Sequence, residues 1–244
     1  MQGSDTKPGA ISSGLLEENI LFEDNHIIII NKMPSQIVQG DKTGDRPLSE
    51  LVKDYLKVKY KKQGEVYLGL VHRLDRPVSG AVVFARTSKS LTRLNALIKN
   101  REVNKTYWAV VKNKPPKESD TLVNYLRRDE AKNKSFVSAK STGSTQLASL
   151  SYTLLASSDN YYLLEIDLQT GRHHQIRAQL AAIGCPIKGD LKYGFPRSNP
   201  DASIHLHARK VSFIHPVSLK LLSIIAPLPK DPIWDYFDRQ FPNL

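Results

Sequence analysis

An α+β fold, with a mixed and largely antiparallel β-sheet flanked by helices, is what the 244-residue sequence predicts. Strand-like and helix-like segments follow one another without regular strand–helix–strand alternation. Two neighbouring segments near 148–168 alternate apolar and polar positions, and other stretches carry apolar residues at helical spacing. No fixed-period repeat or low-complexity tract is visible in the sequence, which argues against solenoids and propellers.

Taken in order, Ile20-Leu21-Phe22 and Ile27-Ile28-Ile29-Ile30 read as two strands joined by a turn at Asp24-Asn25. Leu48, Leu51, Val52, Tyr55 and Leu56 share a helical face, while Lys53, Lys57, Lys61 and Lys62 lie elsewhere. A solvated lysine face explains that basic side more simply than a phosphate contact does. Ala81 to Ala85 reads as a buried strand, followed by a helix capped by Ser88 and carrying Leu91, Leu94 and Ile98 inward. Val103 to Val111 is another strand, ended by Lys114-Pro115-Pro116. Residues 117–146 are polar, basic and poor in core positions, and read as a peripheral hairpin or loop. Strands at 148–156 and 161–168 come next, the second with Tyr162, Leu164, Ile166 and Leu168 on one face. Thr170-Gly171 leads into a helix with Ile176, Leu180 and Ile183 inward and Gly184 as its stop. Ile204 to Ile225 returns to β structure, and Trp234, Tyr236 and Phe237 pack as a terminal helix or arm.

Composition narrows the function classes. With 40% hydrophobic and 24% charged residues the chain is an ordinary globular protein, read as one domain over 20–244 behind a flexible tail over 1–19. Lys and Arg number 35 against 24 Asp and Glu, and the resulting +11 suits a polyanionic partner such as RNA or DNA. One cysteine, Cys185, excludes an internal disulfide framework and multi-cysteine metal sites, so a cytoplasmic location is expected. The longest apolar runs fall short of the ~18–20 residues that cross a bilayer, so no membrane association is expected.

The densest cluster of reactive side chains is His72-Arg73-Leu74-Asp75-Arg76-Pro77-Val78-Ser79-Gly80. Flanking arginines favour an ionised carboxylate, which a rigid turn presents as nucleophile or base; a purely structural turn with an ion pair reads the same residues equally well. A second cluster is Gly171-Arg172-His173-His174-Gln175-Ile176-Arg177, where helical spacing puts His174 and Arg177 on one face. With Ile176 inward, Arg177 lies near the buried side and needs a carboxylate, for which Asp75 is a candidate.

HRLDRPVSG at 72–80, Lys105-Thr106-Tyr107, LQTGRHHQIRAQLAAIGCPIKGD at 168–190, Tyr193-Gly194 and Leu206-His207-Ala208 together resemble the RluA-type pseudouridine synthases, over most of residues 21–226. The resemblance implies a pseudouridine synthase-like catalytic fold and an isomerase that converts uridine to pseudouridine in structured RNA, ribosomal or transfer, without cofactor or metal. It implies that Asp75 is the catalytic carboxylate, that Tyr107 stacks on the target base and that Arg177 pairs with Asp75. Arg73 is expected to hold the RNA with the target nucleotide extruded, and His72, Arg172 and His174 are further expected RNA contacts. Asp75 is left with three routes: attack on the sugar, attack on the uracil ring, or removal of a 2′-proton. Departures from the family pattern fall at Val78, His173 and Cys185, none of them a proposed catalytic group. No S4 RNA-binding module is expected before residue 20, and a monomer is expected. Two rival functions are a non-catalytic RNA-binding or ribosome-assembly protein, and a metal-dependent nuclease built on His205 and His207 with Asp190 or His215.

Overall fold

The computed structural model describes residues 16–138 and 140–241; the tail reading for 1–15 lies outside them. Eleven strands form one sheet: β1 (Ile20–Glu23), β2 (Ile27–Lys32), β3 (Gly69–Leu70), β4 (Ser79–Ala85), β5 (Asn104–Val111), β6 (Ser119–Asp129), β7 (Lys134–Ser138), β8 (Thr145–Ser157), β9 (Tyr162–Leu168), β10 (Leu206–Ile214) and β11 (Leu221–Ile225). The path runs β1-β2-β4-β10-β5-β9-β8-β6-β7, with β11 beside β10 and β3 beside β4. Every pairing among these strands is antiparallel except β4 with β10, so the mixed, largely antiparallel expectation is met.

Among the described residues four helices cover the sheet: α1 (Leu48–Lys59), α2 (Ser88–Lys99), α3 (Gln175–Ala182) and α4 (Pro232–Asp238). The pleat sends alternate residues to opposite faces, and each face is covered by helices. Ile28, Ile30, Val82, Phe84, Tyr107 and Ile166 pack with Leu48, Val52 and Leu56 of α1 and with Ile176 and Leu180 of α3. On the other face Ile27, Ile29 and Val83 meet Leu94 of α2, and Trp108 and Val110 meet Trp234 and Phe237 of α4. Trp108 is therefore core, opposite Tyr107, as strand alternation requires.

Two local expectations change. The cap of α2 is Thr87, whose hydroxyl accepts from Ser90 N at 3.1 Å, one residue before the expected Ser88. Of the hairpin or loop expected over 117–146 the hairpin is present, β6 with β7, but it is not peripheral: β6 also pairs with β8 from Ser119↔Thr153 to Arg127↔Thr145 and so extends the main sheet. Its inner face carries Asn124 between Leu122 and Leu126, so the apolar alternation is interrupted in the sequence although the strand is continuous.

One backbone crossing sets the site. Gly80 lies opposite Ala208 in the parallel pairing, with φ +115°, and a Cβ there would sit 2.4 Å from Ala208 O. Only glycine lets β4 and β10 approach this closely. Beyond the crossing, the edge of β4 is completed by a side chain: Val83 N donates to His72 Nε2 at 3.1 Å, between the segments paired with β10 and with β3.

Candidate active site

The loop from β3 to β4 holds Asp75, and the backbone around it is fixed from three directions. Val78 N donates to Asp75 O at 3.1 Å, Ser35 N to Arg76 O at 2.9 Å, and Ile204 N to Pro77 O at 3.1 Å. From below, the fully buried Lys32 donates from Nζ to Met33 O, Gln36 O and Arg76 O at 2.8–3.1 Å. Burial pulls this ammonium down to about 7, against the opposing charge of Asp75.

Arg177 reaches Asp75 from α3. Its Nη1 donates to Asp75 Oδ2 at 3.0 Å, while Nε and Nη2 form a fork onto Asp190, at 2.7 Å to Oδ2 and 2.9 Å to Oδ1. A bidentate fork is the strongest arrangement a guanidinium makes with a carboxylate. Burial works against the charged guanidinium, but the bonds and charge of Asp190, with Asp75, hold its pKa above the ordinary value. The Tyr193 ring lies 5.0 Å from the guanidinium carbon. Asp190 thus anchors Arg177, and Arg177 orients Asp75. Asp75 Oδ1 accepts no hydrogen bond among the described residues, and the side chain keeps 29% of its surface exposed.

Asp75, Tyr107, Arg177, Arg73, His72, Arg172 and His174 all line one cleft of about 690 Å³, so the structure brings together every site residue expected from the sequence. Several of them differ from expectation in chemical state. His174 caps α3 in the left-handed region, φ 53°, and is buried, with Nδ1 3.2 Å from Tyr193 Oη and Nε2 3.5 Å from Asp75 Oδ2. Burial pushes its ring down to about 3 despite Asp75, so it contacts Asp75 as a neutral imidazole. His72 is held down to about 4 by burial and by Lys105, and its Nε2 accepts from Val83, so it is a neutral sheet element at the cleft wall. Arg76 turns away from Asp75: it binds Asp45 Oδ2 at 2.6 Å and Thr43 Oγ1 at 2.7 Å. Exposed Arg73 and Arg172 remain as cations at the cleft, Arg172 tethered through Nε to Leu147 O at 3.0 Å. The phenol of Tyr107 is pushed above its ordinary value by burial and by Asp75, so it meets a ligand as an uncharged ring.

Lys32, beneath the Asp75 loop, was not assigned a role from the sequence, and neither were three further contributors. The sequence offers Asp190 only as a metal ligand and Tyr193 only as part of a motif. Lys105, two residues before Tyr107 on the same strand face, lines the cleft as well, its charge disfavoured by burial, and so do Lys99 and Arg101. The histidines considered for metal binding are engaged separately. His207 bonds Ser79 Oγ at 2.8 Å and Ala226 O at 3.1 Å, and His205 bonds Asp231 Oδ1 at 2.9 Å. Among the described residues no group of three or more His, Cys, Asp or Glu gathers as a metal site.

The model of the family described as RNA pseudouridylate synthase matches residues 26–182, a span holding the Asp75 loop, β5 and the Arg177 helix. The chain belongs to this family. Among sequence relatives of this pseudouridine synthase is the Bacillus subtilis "Uncharacterized RNA pseudouridine synthase YhcT", 32% identical over 219 residues, covering 88% of this chain and 70% of that protein. The "Ribosomal large subunit pseudouridine synthase D" of Xylella fastidiosa is 33% identical over 226 residues, covering 87% and 66% of the two chains. In fold, the solved "Human RNA Pseudouridylate Synthase Domain Containing 4" superimposes with a TM-score of 0.76 at 24% identity, covering 94% of this chain and 95% of that one. Members of the family are isomerases that act on RNA. Among the described residues no helix is long and apolar enough to cross a membrane.

Proposed function

We propose that this pseudouridine synthase isomerises specific uridines in structured ribosomal or transfer RNA, with Asp75 as the catalytic carboxylate. The observation that carries the reading is the division of labour around Asp75. One carboxylate oxygen is fixed by an arginine that is itself anchored on Asp190, the other accepts no hydrogen bond among the described residues, and the residue lines a cleft shared with Tyr107. In the reaction N1–C1′ breaks, the uracil turns, and C5–C1′ forms; N1 gains a proton and C5 releases one, so no oxidant or water is consumed. Asp75 enters by attack on C1′, attack on the uracil ring, or removal of a 2′-proton, and all three need the carboxylate ionised and aimed.

A stacked base is out of reach, so the target nucleotide is extruded at an expense of a few kcal/mol, offset by ~1–3 kcal/mol of stacking on Tyr107 and by phosphate contacts. The uncharged phenol supports the stacking role over that of a ready base for C5–H. Arg73, Arg172 and Lys105, with Lys99 and Arg101 on the same cleft, are the cations that would grip the strand, while His72 and His174 contribute as neutral groups. Single-chain action in the cytoplasm completes the proposal; the one cysteine, Cys185, is free and buried, as suits a reducing compartment. The test is tritium release from RNA labelled at uracil C5: wild type releases it, and Asp75→Asn binds the RNA but releases none. Full release by Asp75→Asn overturns the catalytic assignment, and binding without release by wild type favours a non-catalytic RNA-binding protein.

A further inference from the structure

Next to the active-site cleft a second hollow, of about 180 Å³, opens between the β6–β7 hairpin and the start of α3. Its shape follows from strand periodicity. Leu122, Asn124, Leu126 and Arg128 occupy alternate positions of β6. The first three meet α3 or its neighbours: Leu122 O and Asn124 Oδ1 accept from Gln179, and Leu126 packs with Ala178 and Tyr193. The helix begins only at Gln175, so Arg128, the next residue in the series, passes its end and lines the hollow instead. Arg172 enters from the other side, its stem fixed by the Nε bond to Leu147 O. Ser144 and Gln146 add neutral donors. The lining holds two guanidinium groups and no carboxylate, and Arg128 forms no ion pair among the described residues.

The hollow shares its wall with the catalytic centre. Arg172 and His173 line both cavities. The His173 ring is pinned at both nitrogens, by Ser135 Oγ at 3.0 Å and Asn133 Oδ1 at 3.1 Å, and stacks at 3.8 Å on His174, which touches Asp75. The space is well above the ~10–15 Å³ that one water needs and admits a phosphate. Forked guanidiniums with small neutral donors and no acid are the chemistry that recognises a phosphodiester.

We propose that this hollow is a phosphate subsite, in which Arg128 and Arg172 hold a backbone phosphodiester adjacent to the nucleotide that occupies the cleft. The proposal rests on the RNA isomerase reading, and names a contact outside the catalytic groups that sets affinity and register rather than the rate of the chemical step.

Arg128→Gln should weaken substrate-RNA binding about tenfold at moderate salt and lower the slope of log affinity against log salt by about 0.7 for the one lost phosphate contact. The rate at saturating RNA should stay within about twofold of wild type, and Arg128→Lys should restore most of the salt slope. Replacing the phosphates flanking the target uridine one at a time by uncharged methylphosphonates locates the contact. At one position the substitution should weaken wild type and leave Arg128→Gln unaffected. Equal effects on both proteins at every flanking position, or a fall in saturated rate with unchanged affinity, overturn the subsite. Wild-type tritium release on the same RNA separates the two failures: its absence counts against the isomerase reading, whereas its presence without phosphate coupling counts against the subsite alone.

Discussion

Replacing Asp190 by Asn should destabilise this protein more than replacing Asp75, the proposed catalytic carboxylate, although Asp190 is 1% exposed and lies behind Arg177 as seen from the cleft. Asn is nearly isosteric, but it removes the charge that receives both arms of the Arg177 fork, at 2.7 and 2.9 Å, and sets an amide NH2 against guanidinium N–H groups. Breaking one side of a buried ion pair costs about 3–5 kcal/mol, and the surviving contact to Asp75 recovers part of this, leaving a loss of about 3 kcal/mol. For a chain of this size each kcal/mol moves Tm by about 2–4 °C, so Asp190→Asn should melt roughly 6–12 °C below wild type. Asp75→Asn leaves the Asp190 fork intact and alters a partly exposed carboxylate, so its loss should stay below about 1 kcal/mol and its Tm shift below roughly 4 °C. Circular-dichroism melts of the three proteins, run beside tritium-release assays, measure both quantities. Asp75→Asn should be stable and inactive, and Asp190→Asn less stable and strongly impaired. Equal melting temperatures for the two variants, or an Asp190→Asn protein that melts with wild type, would refute the assignment of Asp190 as the anchor.

Other expectations follow from single contacts. Gly80→Ala drives a Cβ to 2.4 Å from Ala208 O at a positive φ, and should cost at least about 3 kcal/mol; soluble yield and Tm report it, and a Tm within about 2 °C of wild type contradicts the crossing. Tyr107→Ala should lose ~1–3 kcal/mol of base stacking, seen as about a 5- to 150-fold rise in RNA Kd, whereas Tyr107→Phe should bind like wild type; equal losses would give the contact to the hydroxyl instead of the ring. Asp231, which caps α4, is held down to about 2, chiefly by the hydrogen bond from His205. A carboxylate depressed on folding stabilises above its unfolded value, so this contribution is complete above about pH 4 and is lost as pH falls toward about 2. Trp108 and Trp234, the chain's two tryptophans, share the α4 cluster, and their fluorescence should shift over that window; Asp231→Ala should lose about 1 kcal/mol at neutral pH. An unchanged emission spectrum down to about pH 2 would disprove the coupling.

The parts of the site that were legible in the sequence are those whose geometry is local. Period-two alternation put Tyr107 and Trp108 on opposite faces, and helical spacing put His174 and Arg177 together. Asp75 and Arg177 could be paired because each lies in a dense run of reactive residues and a buried arginine demands a counter-charge. Asp190 was missed as the second partner because nothing local marks it: its fork to Arg177 depends on how the segment after α3 folds back. Arg76 misled because adjacency in a turn does not put two side chains on the same side, and its guanidinium leaves for Asp45. The burial of His174 was not legible because its left-handed backbone, which turns the ring inward, is a product of tertiary packing. The β6–β8 ladder hid for a related reason, since Asn124 answers Gln179 across the interface and reads as polar surface in isolation.

The crossing of Gly80 over Ala208 also dictates the order in which a working enzyme emerges during synthesis. Ser79 and His207 are 128 positions apart, and at ~5–20 residues per second a ribosome needs roughly 6–26 s between them. Throughout that interval the rim of β4 next to the HRLD loop has no β10 to dock with, and a bare, apolar strand rim invites foreign chains. Catalytic competence in a nascent molecule therefore arrives late and all at once, when the last quarter of the polypeptide locks onto the first third.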